Sequence, residues 1–127
     1  ILSEPTIDAQ NFYNLHDWTN ITIKKIKKYS DRKIIVHNRY SKTPLKKLLE
    51  NAWAFVSDHS SAGFLSMLEG VPAIFTNSTL ENIGKLENIE SIPINYQVFN
   101  NLAYGQWSYK EIYEGEAWKF LSKNLIK

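Results

Sequence analysis

The sequence has no cysteine, and its 127 residues include only five glycines and four prolines. The missing cysteine excludes disulfides and thiolate metal sites, and it leaves the redox compartment undetermined. No apolar run approaches the roughly 20 residues that span a bilayer, and no basic start followed by an apolar core indicates a signal peptide. We therefore expect a cytoplasmic domain without a membrane span. Because the sequence begins at Ile1 rather than Met, we expect a processed, trimmed or fragmentary chain.

Several catalytic and binding signatures are also missing. The sequence holds no Walker phosphate loop and no GxGxxG fingerprint, no GxSxG nucleophile elbow, and no acidic cluster after its first predicted strand. His16, His37 and His59 lack the spacing of a metal site such as HExxH. Lys and Arg are sparse in the C-terminal segment, which argues against reading of DNA. We expect no metal, no cofactor and no nucleic-acid partner.

Charge is distributed unevenly along the chain. Residues 24–47 carry ten Lys or Arg side chains against one acid, Asp31, whereas the rest carries five basic and twelve acidic groups. The segment is therefore +9 and the remainder −7, within a net charge of +2. A positive field favours anionic ligands such as phosphates, but a solvated, lysine-rich helix face produces the same pattern. Both interpretations remain open at this point.

The stretch from Trp53 to Phe75 organises the predicted fold. Trp53–Val56 predicts a buried strand, residues 57–61 a polar turn, the following segment a short helix that stops at Gly70, and Pro72–Phe75 a second strand. Apolar strands separated by a helix are typical of a parallel sheet covered on both faces. The turn then lies at the carboxyl end of a strand, where open α/β sheets bind ligands.

The N-terminal sequence extends this alternation. Ile1-Leu2 predicts the end of a first strand, Leu15–Tyr29 a helix, and Lys33–His37 a second buried strand. Thr43-Pro44 is a typical helix start. The buried stripe that we predict for this helix comprises Leu45, Leu48, Leu49 and Ala52.

After Phe75 the sequence predicts mainly helices. Ser78 with Glu81, and Ser108 with Glu111, have the spacing of capping boxes, Asn95 is a possible cap of a helix that ends near Gly105, and Gly115 precedes a last helix over Glu116–Leu125. We expect a single Rossmann-like domain, a doubly wound parallel sheet of about four strands with helices on both faces over residues 1–94. Residues 95–127 are expected to form helices that pack on it.

The predicted ligand site is the turn that follows the central strand. Ser57, Ser60, Ser61 and Gly63 lie where a helix N-terminus leaves backbone N–H groups unpaired. Hydroxyls and such donors together suit a phosphate, and Gly63 would allow close approach to the backbone. Simple N-capping by the same turn is the structural alternative.

Charged and titratable residues supplement this turn. Asp58 is a candidate general base or ribose ligand, although its charge disfavours a neighbouring phosphate, and His59 is a candidate donor to an anion. His37 and Arg39 follow the second strand, and they lean to the same side if the extended conformation persists. Arg offers a planar fork for phosphate and His can act as an acid. We expect this pair to face Ser60-Ser61 from a neighbouring strand end; a backbone-bonded His and a solvated Arg form the alternative.

Aromatic residues are concentrated near the C-terminus. Eight of the seventeen lie between Tyr96 and Phe120. Packing of these side chains onto the sheet is the simpler interpretation, and a stacking surface for a base or sugar is the other.

Together, these motifs resemble a known family. VHNR after one strand, then AWAFVSDHSSAGFLSMLEGVPAIF, is similar to the C-terminal half of GT-B-type glycosyltransferases, especially capsule or surface-polysaccharide transferases and their phage-borne relatives. The tail NNLAYGQWSYKEIYEGEAWKFL also looks like the closing segment of such phage proteins. The family pattern often has Pro between His and Arg, where this chain has Asn38.

The resemblance implies a function and a partner. The C-terminal half of such enzymes binds the nucleotide-sugar donor, so Ser60 and Ser61 would bind diphosphate while His37 and Arg39 face it. Transfer in polysaccharide biosynthesis would need the N-terminal half, which supplies the acceptor site, or a second copy of the chain; His37 and Asp58 are the only catalytic candidates here. The alternatives are a non-catalytic nucleotide- or anion-binding module, and an assembly domain that uses its aromatic C-terminal helices.

Overall fold

The structure of the protein is a computed structural model that describes residues 1–124, apart from the side chains of Glu81 and Tyr104. The chain forms two compact units. The first extends from Ile1 to Asn95, and the second begins at Tyr96.

A four-stranded parallel sheet forms the centre of the first unit. Its strands are β1 (Leu2–Ser3), β2 (Val36–His37), β3 (Phe55–Ser57) and β4 (Ala73–Phe75). Their spatial order is β2-β1-β3-β4, and all three pairings are parallel. The predicted Rossmann-like α/β architecture is therefore confirmed.

Helices connect successive strands. They are α1 (Ile7–Tyr13), α2 (Trp18–Ile26), α3 (Leu45–Leu49) and α4 (Ala62–Leu68). Two 3₁₀ turns, Glu81–Ile83 and Leu86–Asn88, follow β4. Among the described residues, no helix is long and apolar enough to cross a membrane.

The sheet buries apolar side chains on both faces, because successive residues of a strand point to opposite sides. Val56 packs with Leu2, Trp18 and Ile74 in the larger cluster. Its neighbour Phe55 packs in a second cluster with Leu49 and Val71. Every residue of β3 and β4 is buried, as their continuous apolar sequences predict.

Two predicted strands are shorter and less buried than expected. β2 begins only at Val36 and lies at the edge of the sheet, so Ile35 and Val36 are 39% and 42% exposed. Trp53 precedes β3 and is half-exposed; its indole donates to the Ile89 carbonyl, and the Arg32 guanidinium lies 3.7 Å above its ring. Trp53 therefore contacts Ile89 and Arg32 instead of extending β3.

The predicted helices of this unit also differ in detail. α1 is an unpredicted helix, and the helix expected over Leu15–Tyr29 is limited to α2. In α3, Leu49 is buried and Leu45 and Leu48 are partly buried, whereas Ala52, the last residue of the predicted stripe, lies beyond the end of the helix. Ser78 does not occupy the N-cap position that the predicted box requires, because Leu80 is the N-cap residue of the short 3₁₀ turn; the Glu81 side chain of that box lies outside the described residues.

The described part of the second unit consists of helices joined by short segments. It contains α5 (Gln97–Tyr104), α6 (Tyr109–Tyr113) and α7 (Glu116–Asn124). Tyr96 rather than Asn95 occupies the N-cap position of α5. The predicted C-terminal residue of the last helix, Leu125, lies outside the described residues.

Capping and aromatic contacts organise this unit. Ser108 and Glu111 form the predicted capping box, and Gly115 adopts φ 78° before α7. The rings of Trp107 and Phe120 lie 5.3 Å apart. Not all aromatic residues are packed in this way, because Tyr109 and Tyr113 are more than 90% exposed.

Candidate functional site

A cleft of about 400 Å³ lies at the carboxyl ends of β1 and β3. The segment that follows β1 forms one wall, together with Ala9 of α1, and the segment Ser57–Ser61 forms the other. The lining residues are Ser3, Glu4, Pro5, Thr6, Ala9, Ser57, Asp58, His59, Ser60 and Ser61. The structure thus brings together the serine-rich turn that the sequence singled out and a loop that it did not.

The cleft occupies the topological switch point of the sheet. The chain leaves β1 towards β2 on one side and later returns to β3 on the other side. The connections on the two sides therefore diverge between β1 and β3. Open α/β sheets bind their ligands in this crevice, outside the carboxyl ends of the strands.

A larger cavity of about 600 Å³ lies at the opposite, amino-terminal ends of the strands. Apolar residues such as Ile26, Ala54 and Ile89 line it, and Arg32 and Trp53 contribute to its wall. Because ligand sites of this fold class lie at the carboxyl edge, the smaller cleft is the candidate site.

Asp58 anchors the turn from beneath the cleft. It is 7% exposed, and its Oδ1 accepts a hydrogen bond of 2.8 Å from the Thr76 hydroxyl at the end of β4. Thr76 Oγ1 in turn accepts from the Trp18 indole at 2.7 Å. This chain of bonds joins α2, β4 and the turn, so a buried carboxylate is stabilised by hydrogen-bond donors.

His59 occupies the second oxygen of the same carboxylate. Its Nδ1 lies 2.6 Å from Asp58 Oδ2, and the Tyr13 ring of α1 packs edge-on against the imidazole with centroids 4.6 Å apart. The His59 side chain is 32% exposed. Because both oxygens of Asp58 are engaged, it is poorly placed to remove a proton from a substrate, and His59 is the accessible member of the pair.

The three serines have different environments. Ser57 is 1% exposed, and its hydroxyl has no hydrogen-bond partner among the described residues. The Ser60 hydroxyl accepts from Ala62 N at 3.3 Å, while Ser61, the N-cap residue of α4, is exposed and makes no side-chain cap. A buried hydroxyl without a partner is unusual and calls for an explanation.

The predicted cradle of unpaired N–H groups does not form. Ala62 N bonds to the Ser60 hydroxyl, Gly63 N to the Ser60 carbonyl at 2.9 Å, and Phe64 N to the Ser61 carbonyl at 3.0 Å. The turn thus folds back on the start of the seven-residue α4 and satisfies its first donors. Side chains, rather than these amides, are left to contact a ligand.

Gly63 has a packing role that the sequence did not reveal. It is buried, and a Cβ atom on it would lie 2.4 Å from Cζ of Phe75. The Phe75 ring therefore occupies the space beside the glycine. A role of Gly63 in ligand contact remains only a prediction.

His37 and Arg39 are not among the residues that line the cleft. β1 lies between β2 and β3, so the expectation that they face the serine turn from the adjacent strand is wrong. The strand also ends at His37, because the Asn38 side chain accepts from Tyr40 N and Asn38 N bonds to Ser41. Arg39 lies in the resulting turn and is exposed.

Glu4 is the site residue that sequence reasoning missed. Its two carboxylate oxygens accept from the Thr19 hydroxyl at 3.2 Å and from Asn38 Nδ2 at 3.1 Å. These bonds fix the loop after β1 against α2 and the end of β2. The signal was available, since Glu4 follows a predicted strand end as Asp58 does. The described residues contain no group of three His, Asp or Glu side chains that could hold a metal ion.

Comparisons of the chain with protein-family models, with curated proteins and with solved structures gave no match. The function is therefore inferred from the fold, the cleft and the short motifs of the sequence.

Proposed function

We propose that the first unit binds a nucleotide-sugar donor through its diphosphate, as the donor half of a GT-B-type glycosyltransferase. The observation that carries this proposal is the cleft at the switch point, with the unpartnered Ser57 hydroxyl buried in its wall. Its volume of about 400 Å³ falls within the range of small-molecule sites. The resemblance of VHNR and SDHSS to donor-binding motifs supports the same ligand class.

The cleft offers complementary groups for the parts of such a donor. The hydroxyls of Ser57, Ser60 and Ser61 suit phosphate oxygens, and the Glu4 carboxylate suits a ribose or sugar hydroxyl. Hydrogen bonds to charged groups contribute about 1.5–3 kcal/mol each. In the transfer reaction the bond between the anomeric carbon and the diphosphate breaks while the acceptor oxygen bonds to that carbon. Hydrogen-bond donors of the protein around the diphosphate would stabilise it as the leaving group.

The contribution of this unit is binding rather than proton abstraction. Asp58 is buried and both its oxygens are engaged. A general base must reach the proton that it removes, so the acceptor would be activated by residues outside this unit. An N-terminal half of the enzyme or a second copy of the chain would supply them. A nucleotide-binding module without transfer activity is the second candidate, and the engaged state of Asp58 favours it.

Calorimetric titration with uridine, cytidine and guanosine diphosphate sugars tests the binding. We expect one of these to bind, and Ser57→Ala to weaken that affinity about tenfold or more through the loss of a hydrogen bond to a charged group. The same variant should leave the free energy of unfolding unchanged or raised, because the hydroxyl has no partner in the free protein. Ser91→Ala, at an exposed turn position, is the matched control.

Two outcomes would contradict the proposal. Absence of binding for the whole panel at millimolar concentration would exclude both nucleotide functions. If Ser57→Ala and Ser60→Ala both bind the nucleotide sugar as strongly as the unaltered chain does, the cleft is excluded as the site. Sugar transfer from the bound nucleotide sugar to an acceptor glycan, measured with an N-terminal half of such an enzyme added to the chain, would distinguish an enzyme from a binding module.

A further inference from the structure

The cleft presents an electrostatic problem for a diphosphate. Its lining includes the carboxylates of Glu4 and Asp58, and neither Lys nor Arg is among the ten lining residues. Arg39, the cation that the sequence suggested, lies elsewhere. Two phosphates beside two carboxylates repel one another unless a positive charge lies between them. Among the lining residues, only His59 can carry one.

His59 is held in a defined orientation. With Asp58 Oδ2 at 2.6 Å, its Nδ1 is the protonated nitrogen of the neutral ring, because a carboxylate can only accept. Nε2 is then an acceptor in the neutral imidazole and a donor in the imidazolium. The hydrogen bonds from Thr76 and Trp18 fix Asp58 and therefore the ring.

We propose that a nucleotide sugar binds this cleft with uptake of a proton by His59, so that the imidazolium Nε2–H contacts the diphosphate. This inference rests on the proposed function and assigns the binding charge to His59 rather than to His37 or Arg39. Asp58 is the positioning residue, since it stabilises the imidazolium and aligns the ring. Imidazole ordinarily changes charge near neutral pH. We therefore expect the affinity of the cleft for the nucleotide sugar to fall as the pH rises from about 6 to about 8.

Groups from several elements surround His59. Asp58 belongs to the same turn, Glu4 to the loop after β1, and Tyr13 to α1. Thr76 at the end of β4 does not titrate, and α4 contains no titratable side chain. Of these types of side chain, imidazole is the one that ordinarily changes charge near neutral pH.

The experiment is calorimetry of the full chain with a nucleotide sugar. In such a ligand each phosphate is linked through one ester and one anhydride oxygen, so its charge is constant between about pH 6 and about pH 8, whereas a terminal phosphate titrates near pH 6. Titrations in HEPES and in Tris near pH 7.5 give the number of protons taken up, because the two buffers differ in ionisation enthalpy and neither contains the phosphate that the cleft is proposed to bind. We expect uptake of a fraction of a proton, and an affinity about tenfold or more weaker at pH 8 than at pH 6.

Substitutions of the three histidines assign the proton. His59→Gln should remove both the uptake and the pH dependence, whereas His59→Lys should retain affinity at pH 8 because its charge persists. His16→Gln is the control, since His16 is exposed and does not line the cleft. Binding without proton uptake, or uptake that survives in His59→Gln and disappears in His37→Gln, would overturn the inference and leave the proposed function standing. Absence of binding at both pH values would overturn the proposed function and this inference with it.

Discussion

At position 63, the packing of the core against the Phe75 ring requires a residue without a side chain. A methyl group there would lie 2.4 Å from Cζ and 2.7 Å from Cε1 of Phe75, which is itself buried. We expect Gly63→Ala to lower the free energy of unfolding by about 1–3 kcal/mol through overpacking. Urea denaturation measures it. In a double-mutant cycle, Gly63→Ala should cost less in the Phe75→Leu background than in the unaltered chain, and an equal cost in both backgrounds would contradict the contact.

Thr76 is the residue on which the bonds beneath the cleft converge. Its hydroxyl accepts from Trp18 and donates to Asp58. Thr76→Val keeps the shape but leaves a buried indole N–H and a buried carboxylate oxygen without this partner, at a cost of about 1–3 kcal/mol. Thr79→Val, at an exposed position, should be nearly neutral by the same denaturation measurement. Equal stability of the two variants would show that water replaces the hydroxyl.

At the scale of elements, predictability from sequence followed the degree of burial. The continuous apolar runs of β3 and β4 were recognised because both faces of these strands are covered. The strand predicted over Lys33–His37 is longer than β2, because Ile35 and Val36 are apolar yet lie at an edge of the sheet. α1 has no buried residue, so hydrophobic periodicity could not reveal it. Its local signals were the Thr6 cap, which accepts from Ala9 N, and Asn14 with φ 55°.

The residues of the candidate site were also only partly predictable from the sequence. The serine turn could be located, because a strand end followed by a short helix is a local pattern. That β1 separates β2 from β3 is a property of strand order, and it removed His37 and Arg39 from the cleft. The contacts of Glu4 with Thr19 and Asn38 are likewise tertiary. Local chemistry was thus predictable, and the pairing of distant segments was not.

The capping box of α6 gives a prediction at the same scale. The Ser108 hydroxyl and backbone N–H both donate to the Glu111 carboxylate and hold its pKa below the ordinary value. A lowered folded-state pKa means that this stabilisation is complete above the ordinary carboxyl pKa and is lost as the pH falls through the lowered one. We therefore expect α6 to fray in acid, as measured by amide chemical shifts of the full chain.

Variants separate the box from other charges of the helix. Ser108→Ala should destabilise α6 by about 0.5–2 kcal/mol at neutral pH and remove the acid-dependent step. Glu114→Gln, which removes an exposed pair with Lys110 at 3.9 Å, should have little effect. An unchanged acid transition in Ser108→Ala would assign that transition to another carboxylate.

At the scale of the whole molecule, charge is segregated although the net charge is small. All ten basic side chains between residues 24 and 47 are exposed. Arg32 pairs with Glu90 at 3.0 Å and Lys46 with Glu69 at 3.2 Å. None of the ten lines the cleft between β1 and β3. These basic side chains are thus solvated, and their summed charge creates a positive field around the segment.

This segregation predicts retention on a cation exchanger beyond what the net charge of +2 implies. Replacing Lys24, Lys25 and Lys28 by Gln removes three charges (+2 − 3 = −1), and replacing Lys110, Lys119 and Lys123 removes the same number. Because a clustered field decays within about 10 Å at 0.1 M salt, the first variant should elute at clearly lower salt than the second. Equal shifts would mean that net charge alone governs retention, and that the lysines of α2 and its C-terminal end do not act as one surface.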